Sequence, residues 1–483
     1  MAIMAVLSPN RGPGHLQNGR VGADGPSTFK GTVLLRAALA TALVVMLAAC
    51  GQAETSTTSG APETTTTTAP AALTAQEVFS TVSPALAFVE TDLGTGSGVL
   101  FDESHLVTNA HVVWPYDEAR VVFPDGTEIP AAPVTHFDEI ADLAIIDLGG
   151  VADLPAPVVF GDPGGMAVGT ELFLIGYPSE VEKFPQPTLT RGILSRVRTI
   201  EALGLEFLQT DAVSAGGQSG GALVTNNGEV VGISGLGSEG FGLATAADDV
   251  LKRLDDLLAG VDVDGLGHRA FPAGPADLSF NVTVEHFWDE QTWIVDLEEG
   301  DEIVVDATSD GDVALTLIAI DGVVEAEADE GESGSESLTF VALFDGPYFL
   351  TLGSYDAEPI DVALESNYPM RRLVDPDDGT VVAAGETVSG YADYPGDIDS
   401  YLIDLAAGDT ITVLVSAVLM DPEIIIDLPD NPLDSLADDT SSGGGLFGTD
   451  AQLTFTAEED ATYLLVVADE FYGPGGYVMT IDG

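Results

Sequence analysis

Short apolar runs, each closed by Gly, Pro or Asp-Gly, set the strongest limit on what this chain can fold into. Between residues 85 and 244 they fall at 85–90, 96–101, 105–108, 120–123, 143–148, 171–175, 190–198, 205–210, 221–224, 229–234 and 241–244. Runs of this length between turn signals read as strands. Many strands with no helices between them close into barrels or pack as sandwiches. Helical patterns occur only at the two ends of the region. Thr74 and Glu77 make a capping-box pair ahead of 75–82. Val250, Leu251, Leu254, Leu257 and Leu258 recur at helical spacing over 247–259. The expectation is an all-β domain over 73–260.

Beyond residue 260 the sequence repeats itself. Trp293 to Leu297, followed by Gly300-Asp301, matches Tyr401 to Leu405, followed by Gly408-Asp409, at an offset of 108 residues. Tyr348 and its apolar followers mirror Tyr463 and its own. Each copy alternates apolar and polar residues between Gly-Asp turns, which predicts two antiparallel β-sandwiches, over 276–367 and 371–483, behind a linker at 260–275.

Charge separates the halves in the same place. The 483 residues suffice for about three domains and carry 79 Asp+Glu against 14 Lys+Arg, a formal net charge of -65. Residues 1–260 hold 30 acids and 11 bases, residues 261–483 hold 49 acids and 3 bases. Nucleic acid is excluded as a partner, because phosphate binding needs Lys and Arg clusters. A polybasic grip on anionic lipid is excluded on the same ground. Cys50 is the single cysteine, so no intramolecular disulfide forms and burial alone must hold the domains.

The first 50 residues read as an N-terminal extension and an address. Lys30 and Arg36 precede the apolar run from Ala37 to Ala49, the layout of a signal peptide. The run is shorter than the ~20 residues of a membrane span. Its end, Leu47-Ala48-Ala49-Cys50, resembles the bacterial lipobox, which implies a lipid on Cys50 after cleavage; an uncleaved anchor is the alternative. Both put the rest of the chain outside the cytoplasm, anchored at the outer face of the cell membrane or secreted. Residues 51–72, with five threonines at 64–68, form a flexible linker.

Three segments carry chemistry. In Thr108-Asn109-Ala110-His111, a strand delivers a histidine just past its end. In Asp142-Leu143-Ala144, an aspartate opens an apolar strand, a costly place for a charge without a partner. In Gly216-Gly217-Gln218-Ser219-Gly220-Gly221, a serine sits among glycines. Acyl transfer accounts for all three. A serine hydroxyl needs a base within reach, a histidine supplies one near neutral pH, and an aspartate fixes the imidazole. The amides of Gly217 and Ser219 are the candidate oxyanion hole.

These motifs resemble the trypsin-like, chymotrypsin-fold serine peptidases, and among them the bacterial HtrA/Deg group. The order His111, Asp142, Ser219, with gaps of 31 and 77 residues, fits that group, as do Gly176-Tyr177-Pro178 and Gln209-Thr210-Asp211-Ala212. The resemblance spans about 75–258 and implies two six-stranded β-barrels with a catalytic triad of His111, Asp142 and Ser219 between them. It places Val213 at the base of the P1 pocket and Ser234, Gly235 and Leu236 along its wall, so no carboxylate awaits a basic P1 residue. Gln218 stands where the group has Asn or Asp. The PDZ domain usual in the group is not read here.

Asp397, Asp399 and Tyr401, with Gly408-Asp409 and Tyr463, resemble the bacterial pre-peptidase C-terminal domains, jelly-roll-like modules appended to secreted peptidases. The first copy has Gln291 in place of Asp399. The resemblance implies substrate or surface binding, or an accessory folding role. The acyl-transfer reading needs no metal or organic cofactor. Asp375, Asp377 and Asp378 leave Ca²⁺ open for the C-terminal domains, with a plain turn as the alternative. The expected function is a membrane-tethered serine endopeptidase acting on polypeptides; a surface adhesion protein on a degenerate peptidase scaffold is the alternative. Oligomeric state is open.

Overall fold

The computed structural model describes residues 72–483 except 93, 180–184, 214, 239, 261–273, 330–333, 357, 376, 429–436 and 440–442. The signal segment, Cys50, the threonine-rich linker and most of the 260–275 linker lie outside the described residues. Among the described residues no helix is long and apolar enough to cross a membrane.

Twelve strands build two closed barrels. The first contains β1 (Leu86–Glu90), β2 (Thr95–Leu100), β3 (His105–Thr108), β4 (Glu118–Val122), β5 (Glu128–Asp138) and β6 (Leu143–Asp147), hydrogen-bonded in the order β1-β2-β3-β6-β5-β4. The second contains β7 (Glu171–Gly176), β8 (Thr188–Ile200), β9 (Leu205–Thr210), β10 (Ala222–Thr225), β11 (Val230–Ser238) and β12 (Phe241–Ala246). Its order, β7-β8-β9-β12-β11-β10, is the same topology used again.

Alternation along β1 shows why its run is apolar throughout. Ala87 and Val89 enter the interior of the first barrel with Leu100, Leu106 and Ile146. Leu86 and Phe88 face the other way, into a second core shared with Phe173, Ile175 and Tyr177 of the other barrel. A strand buried on both faces has no polar side to show.

The helical expectations hold. α1 (Ala75–Val82) begins at Thr74, which accepts from the Glu77 amide while the Glu77 carboxylate accepts from the Thr74 amide. α2 (Ala110–Val113) is a single turn after β3. α3 (Ala247–Ala259) closes the domain and ends at Gly260 in the left-handed conformation. From α3, Arg253 donates to the buried carboxylate of Asp138 at 2.7 Å and to Leu203 O at 3.0 Å. Strand β5 was not expected. Its Pro130 falls where the β4–β5 register shifts, so the missing N–H interrupts no ladder.

The repeat is duplicated down to its register. Val295 pairs with Tyr348 in the first module and Ile403 with Tyr463 in the second. Gly300 N donates to Ala342 O as Gly408 N donates to Ala457 O. The first module is an eight-stranded sheet; the second is a five-stranded and a four-stranded sheet. Two details correct the expectation. The last strand of the first module, Ile360–Arg372, runs past residue 367. Thr380–Val382 pairs parallel with Tyr401–Ile403, whereas the other strand pairs among the described residues of the two modules are antiparallel.

Both modules reach the barrels. Trp114, just after α2, packs with Ile294, Ile318, Phe349 and Tyr394. Tyr391, Val418, Leu446 and Val478 join the core that contains Ile140 and Ala141. A Cβ built on Gly476 stands 3.0 Å from Ile140 N, so a larger residue would press the second sandwich away from the loop before Asp142 by a few tenths of an ångström.

Candidate active site

The turn of α2 places His111 opposite the loop between β5 and β6. The carboxylate of Asp142 accepts twice from this one residue, from the His111 amide at 3.0 Å through Oδ1 and from ring Nδ1 at 2.8 Å through Oδ2. An ionised carboxylate only accepts, so Nδ1 carries the proton and Nε2 keeps its lone pair. Enclosure of the ring opposes its charged form, but the charge and hydrogen bond of Asp142 outweigh it and hold His111 above its ordinary value. The side chain keeps 35% of its surface open, against 3% for Asp142.

Asp142 is held in an uncommon backbone state, φ +54°, which Asp and Asn tolerate better than other side chains. The turn before it is organised by Asp138, whose Oδ1 accepts from the Ala141 amide at 2.9 Å and whose Oδ2 takes Arg253. Burial raises the pKa of Asp138 despite the guanidinium beside it.

Ser219 arrives on a loop fixed from three sides. Its carbonyl accepts from Ser97 N at 2.7 Å. Gly220, at φ +79°, passes so close to β2 that a Cβ would stand 1.9 Å from Ser97 O. Gln218 is buried; its Oε1 accepts from Ala215 N at 2.8 Å and its Nε2 donates to Thr188 Oγ1 at 3.1 Å. A glutamine therefore holds this loop where the HtrA/Deg group uses a shorter side chain. The Ser219 hydroxyl donates to Gly235 O at 3.1 Å, not to His111.

Gly216 O accepts from Ser179 N at 2.6 Å. In a trans peptide that turns the Gly217 N–H to the opposite side. Among the described residues neither the Gly217 nor the Ser219 amide donates to a protein acceptor. Ser234 N donates to Gly221 O and Ser234 O accepts from Gly220 N, so Ser234, Gly235 and Leu236 on β11 flank the serine loop. Val213, expected at the base of the P1 pocket, is 72% exposed.

Two residues with no role assigned from the sequence tie these parts together. Asn109, buried between β3 and α2, donates through Nδ2 to Asp142 O at 2.8 Å and accepts at Oδ1 from Gly220 N at 2.6 Å. One side chain thus spaces the aspartate loop from the serine loop. Ser97 Oγ donates to Gly217 O at 2.9 Å and accepts from Tyr177 N at 2.8 Å. The signal for Asn109 was its place two residues before His111. Ser97 gave no signal beyond being a polar residue in an apolar run. Replacing Asn109 by Ala strands the Asp142 carbonyl and weakens the hold on Gly220. We expect a stability loss of about 1–3 kcal/mol and a fall in peptide-cleavage kcat/KM of roughly 100-fold, measured by thermal melting and steady-state kinetics.

Comparison with known proteins bears on the same region. Residues 96–233 match the family model described as "Trypsin-like peptidase domain". The chain carries a trypsin-like peptidase domain. The peptidase domain is similar to serine protease Do-like HtrA of Bacillus subtilis (strain 168), 33% identical over 187 residues, which cover 35% of this chain and 40% of that one. It is similar also to serine protease PepD of Mycobacterium tuberculosis, 30% identical over 220 residues, 38% of this chain and 46% of that one. The solved HtrA-type protease AlgW with tripeptide is 29% identical, covers 41% of this chain and 66% of that one, and overlays with a TM-score of 0.35. The chain thus spans about two fifths of the length of HtrA and under half that of PepD.

Proposed function

We propose that the chain is an exported serine endopeptidase in which His111, Asp142 and Ser219 act as a triad. The observation that carries the reading is the double grip of Asp142 on His111, with Asn109 linking the same aspartate loop to Gly220 beside Ser219. In this mechanism the Ser219 hydroxyl rotates from Gly235 O toward Nε2 when a substrate enters. Oγ attacks the peptide carbonyl while Nε2 takes its proton, and the new oxyanion is met by the Gly217 and Ser219 amides. His111 then protonates the leaving amine, and later activates the water that releases the acyl group.

The remaining expectations extend this proposal. A lipid on Cys50 would hold the enzyme at the outer face of the membrane, which mass spectrometry of the N-terminal peptide of the membrane form tests. Polypeptides with a small or apolar P1 residue are the proposed substrates, received beside Ser234, Gly235 and Leu236. The exposure of Val213 argues for a shallow pocket.

The second reading, a binding protein on a disabled scaffold, has one observation in its favour: the Ser219 hydroxyl rests on Gly235 O. A fluorophosphonate probe separates the two. We expect the label on Ser219, at a rate that climbs with pH through an inflection above 6.5, the ordinary histidine value. The sign follows from the base: only neutral His111 accepts the proton, and Asp142 favours the charged form to higher pH. Failure to label at every pH, with or without a cleavable peptide present, would establish the binding reading.

A further inference from the structure

Loops normally run over a protein's surface, yet the one that carries Asp142 is buried throughout. Glu139, Ile140, Ala141 and Asp142 are 7%, 2%, 0% and 2% exposed. Part of the cover comes from the far end of the chain. On the strand Gly475–Asp482, Tyr477, Met479 and Ile481 point into the core of their own sandwich. Val478 points the other way, into the core that holds Ile140 and Ala141, where Tyr391, Val418 and Leu446 join it. Gly476 shares that outer face. A Cβ on it would stand 3.0 Å from Ile140 N and 3.1 Å from Glu139 C, where ordinary contact begins at 3.4 Å. Arg198 on β8 donates to Leu446 O, so the sandwich is fastened to the second barrel as well.

The histidine is backed in the same way. The turn of α2 that presents His111 ends at Trp114, whose amide donates to Ala110 O at 2.8 Å. The Trp114 side chain packs with Ile294, Ile318 and Phe349 of the first module and with Tyr394 of the second. The modules also brace each other there. Phe349 stacks on Tyr394 with ring centroids 5.9 Å apart, and Trp288 Nε1 donates to Asp427 at 3.2 Å.

We propose that the two C-terminal modules are positioning parts of the peptidase site: the second sandwich sets Asp142 through Gly476 and Ile140, and the junction of both modules sets His111 through Trp114. The inference rests on the triad reading. Its force lies in the small slack of the pair. Asp142 Oδ2 is 2.8 Å from His111 Nδ1, and such a bond weakens once it exceeds ~3.2 Å. A catalytic constellation tolerates about 0.5 Å of drift. Close-packed interiors transmit displacement rather than absorb it, and the turn from Asp138 to Asp142 is tied internally through the Ala141 amide. A shift at Ile140 therefore reaches the carboxylate two residues on. Trp114 and Gly476 touch no reacting atom and act only through the two residues they back.

The test uses the full chain, with steady-state cleavage of a peptide and the far-downfield NMR signal of the His111 Nδ1 proton, which needs no catalysis. Gly476→Val should wedge the sandwich and the 139–142 loop apart, lower kcat roughly 100-fold with KM within about twofold of wild type, and shift or broaden the proton signal. Should it not fold, Gly476→Ala replaces it, with a smaller wedge and about a tenfold loss expected. Trp114→Ala should lower kcat about 10- to 100-fold, and Trp114→Phe, which refills most of the space, should recover most of it. Val413→Ala is the control, because Val413 lies in the second sandwich's own core. It should lower a melting midpoint by roughly 5–15 °C yet keep wild-type kcat and proton signal below that midpoint. A wedge variant within about threefold of wild-type kcat and with an unmoved proton signal overturns the coupling, as does a loss no greater than that of Val413→Ala. Full kcat in Trp114→Ala overturns the part assigned to the junction. If wild type neither cleaves nor takes the fluorophosphonate label, the triad reading fails by itself. The proton signal then decides: a shift in the wedge variant upholds the positioning of the His111–Asp142 pair, and no shift overturns it.

Discussion

Replacing Ser219 by Ala should lower kcat for a casein-derived peptide about 10⁶-fold and leave the fold in place. The Ser219 hydroxyl makes one hydrogen bond, to Gly235 O, worth about 0.5–1.5 kcal/mol. Everything else that fixes the loop is independent of that oxygen. Ser97 N binds the Ser219 carbonyl, Asn109 holds Gly220, and Gln218 bridges Ala215 and Thr188. The circular dichroism spectrum should therefore match wild type, and the melting midpoint should fall by no more than about 1–6 °C. Residual cleavage would come from the oxyanion donors and substrate positioning alone. A variant that keeps more than about a tenth of wild-type activity would remove Ser219 from the mechanism. The binding reading predicts instead that Ser219→Ala changes nothing measurable.

Local sequence patterns carried much of this architecture because the relevant forces are themselves local. Thr74 and Glu77 specify a helix start through two bonds three residues apart, and α3 follows from the spacing of Val250, Leu254 and Leu257. Strands such as β1 were legible because both their faces are buried and they appear as unbroken apolar runs; that they close into two barrels was what the resemblance to the trypsin-like peptidases implied. Strand β5 was hidden for the opposite reason. Its prolines and exposed faces imitate a loop, and only the bulge against β4 shows how it pairs. The 108-residue repeat announced two β modules, and the structure adds that their tyrosines share a register.

What could not be read was which distant polar groups meet. Asn109 joins Asp142 to Gly220 across 33 and 111 residues. Arg253 reaches Asp138 across 115, and Asp399 comes back to Asp375. Each depends on how strands are packed rather than on any period along the chain. Gly476 is the sharpest case. Nothing beside it in sequence hints that its missing Cβ lets a C-terminal module lie against Ile140, two residues before the aspartate of the candidate site.

The expected result for Asp142→Asn follows from that aspartate's two separate contacts. Oδ1 serves the His111 amide and Oδ2 the ring Nδ1. An asparagine has one acceptor oxygen and one NH₂ group. If its oxygen keeps the backbone N–H, the NH₂ faces Nδ1 and the proton must move to Nε2, the atom that has to receive it from Ser219. The ring is then held in the unproductive tautomer, and kcat should fall about 10⁴-fold. Folding should survive, because asparagine tolerates the left-handed φ of +54° and the backbone carbonyl still accepts from Asn109. The pH dependence should move as well. With the raising influence of the carboxylate gone, enclosure alone acts on His111 and lowers its pKa, so the acid limb of the residual activity should shift to lower pH than in wild type. Steady-state rates across pH 5 to 9, roughly the range in which a histidine titrates, together with a melting curve, measure all three. If Asp142→Asn cleaves within tenfold of wild type, or its acid limb moves upward, His111 does not depend on Asp142 as the geometry requires.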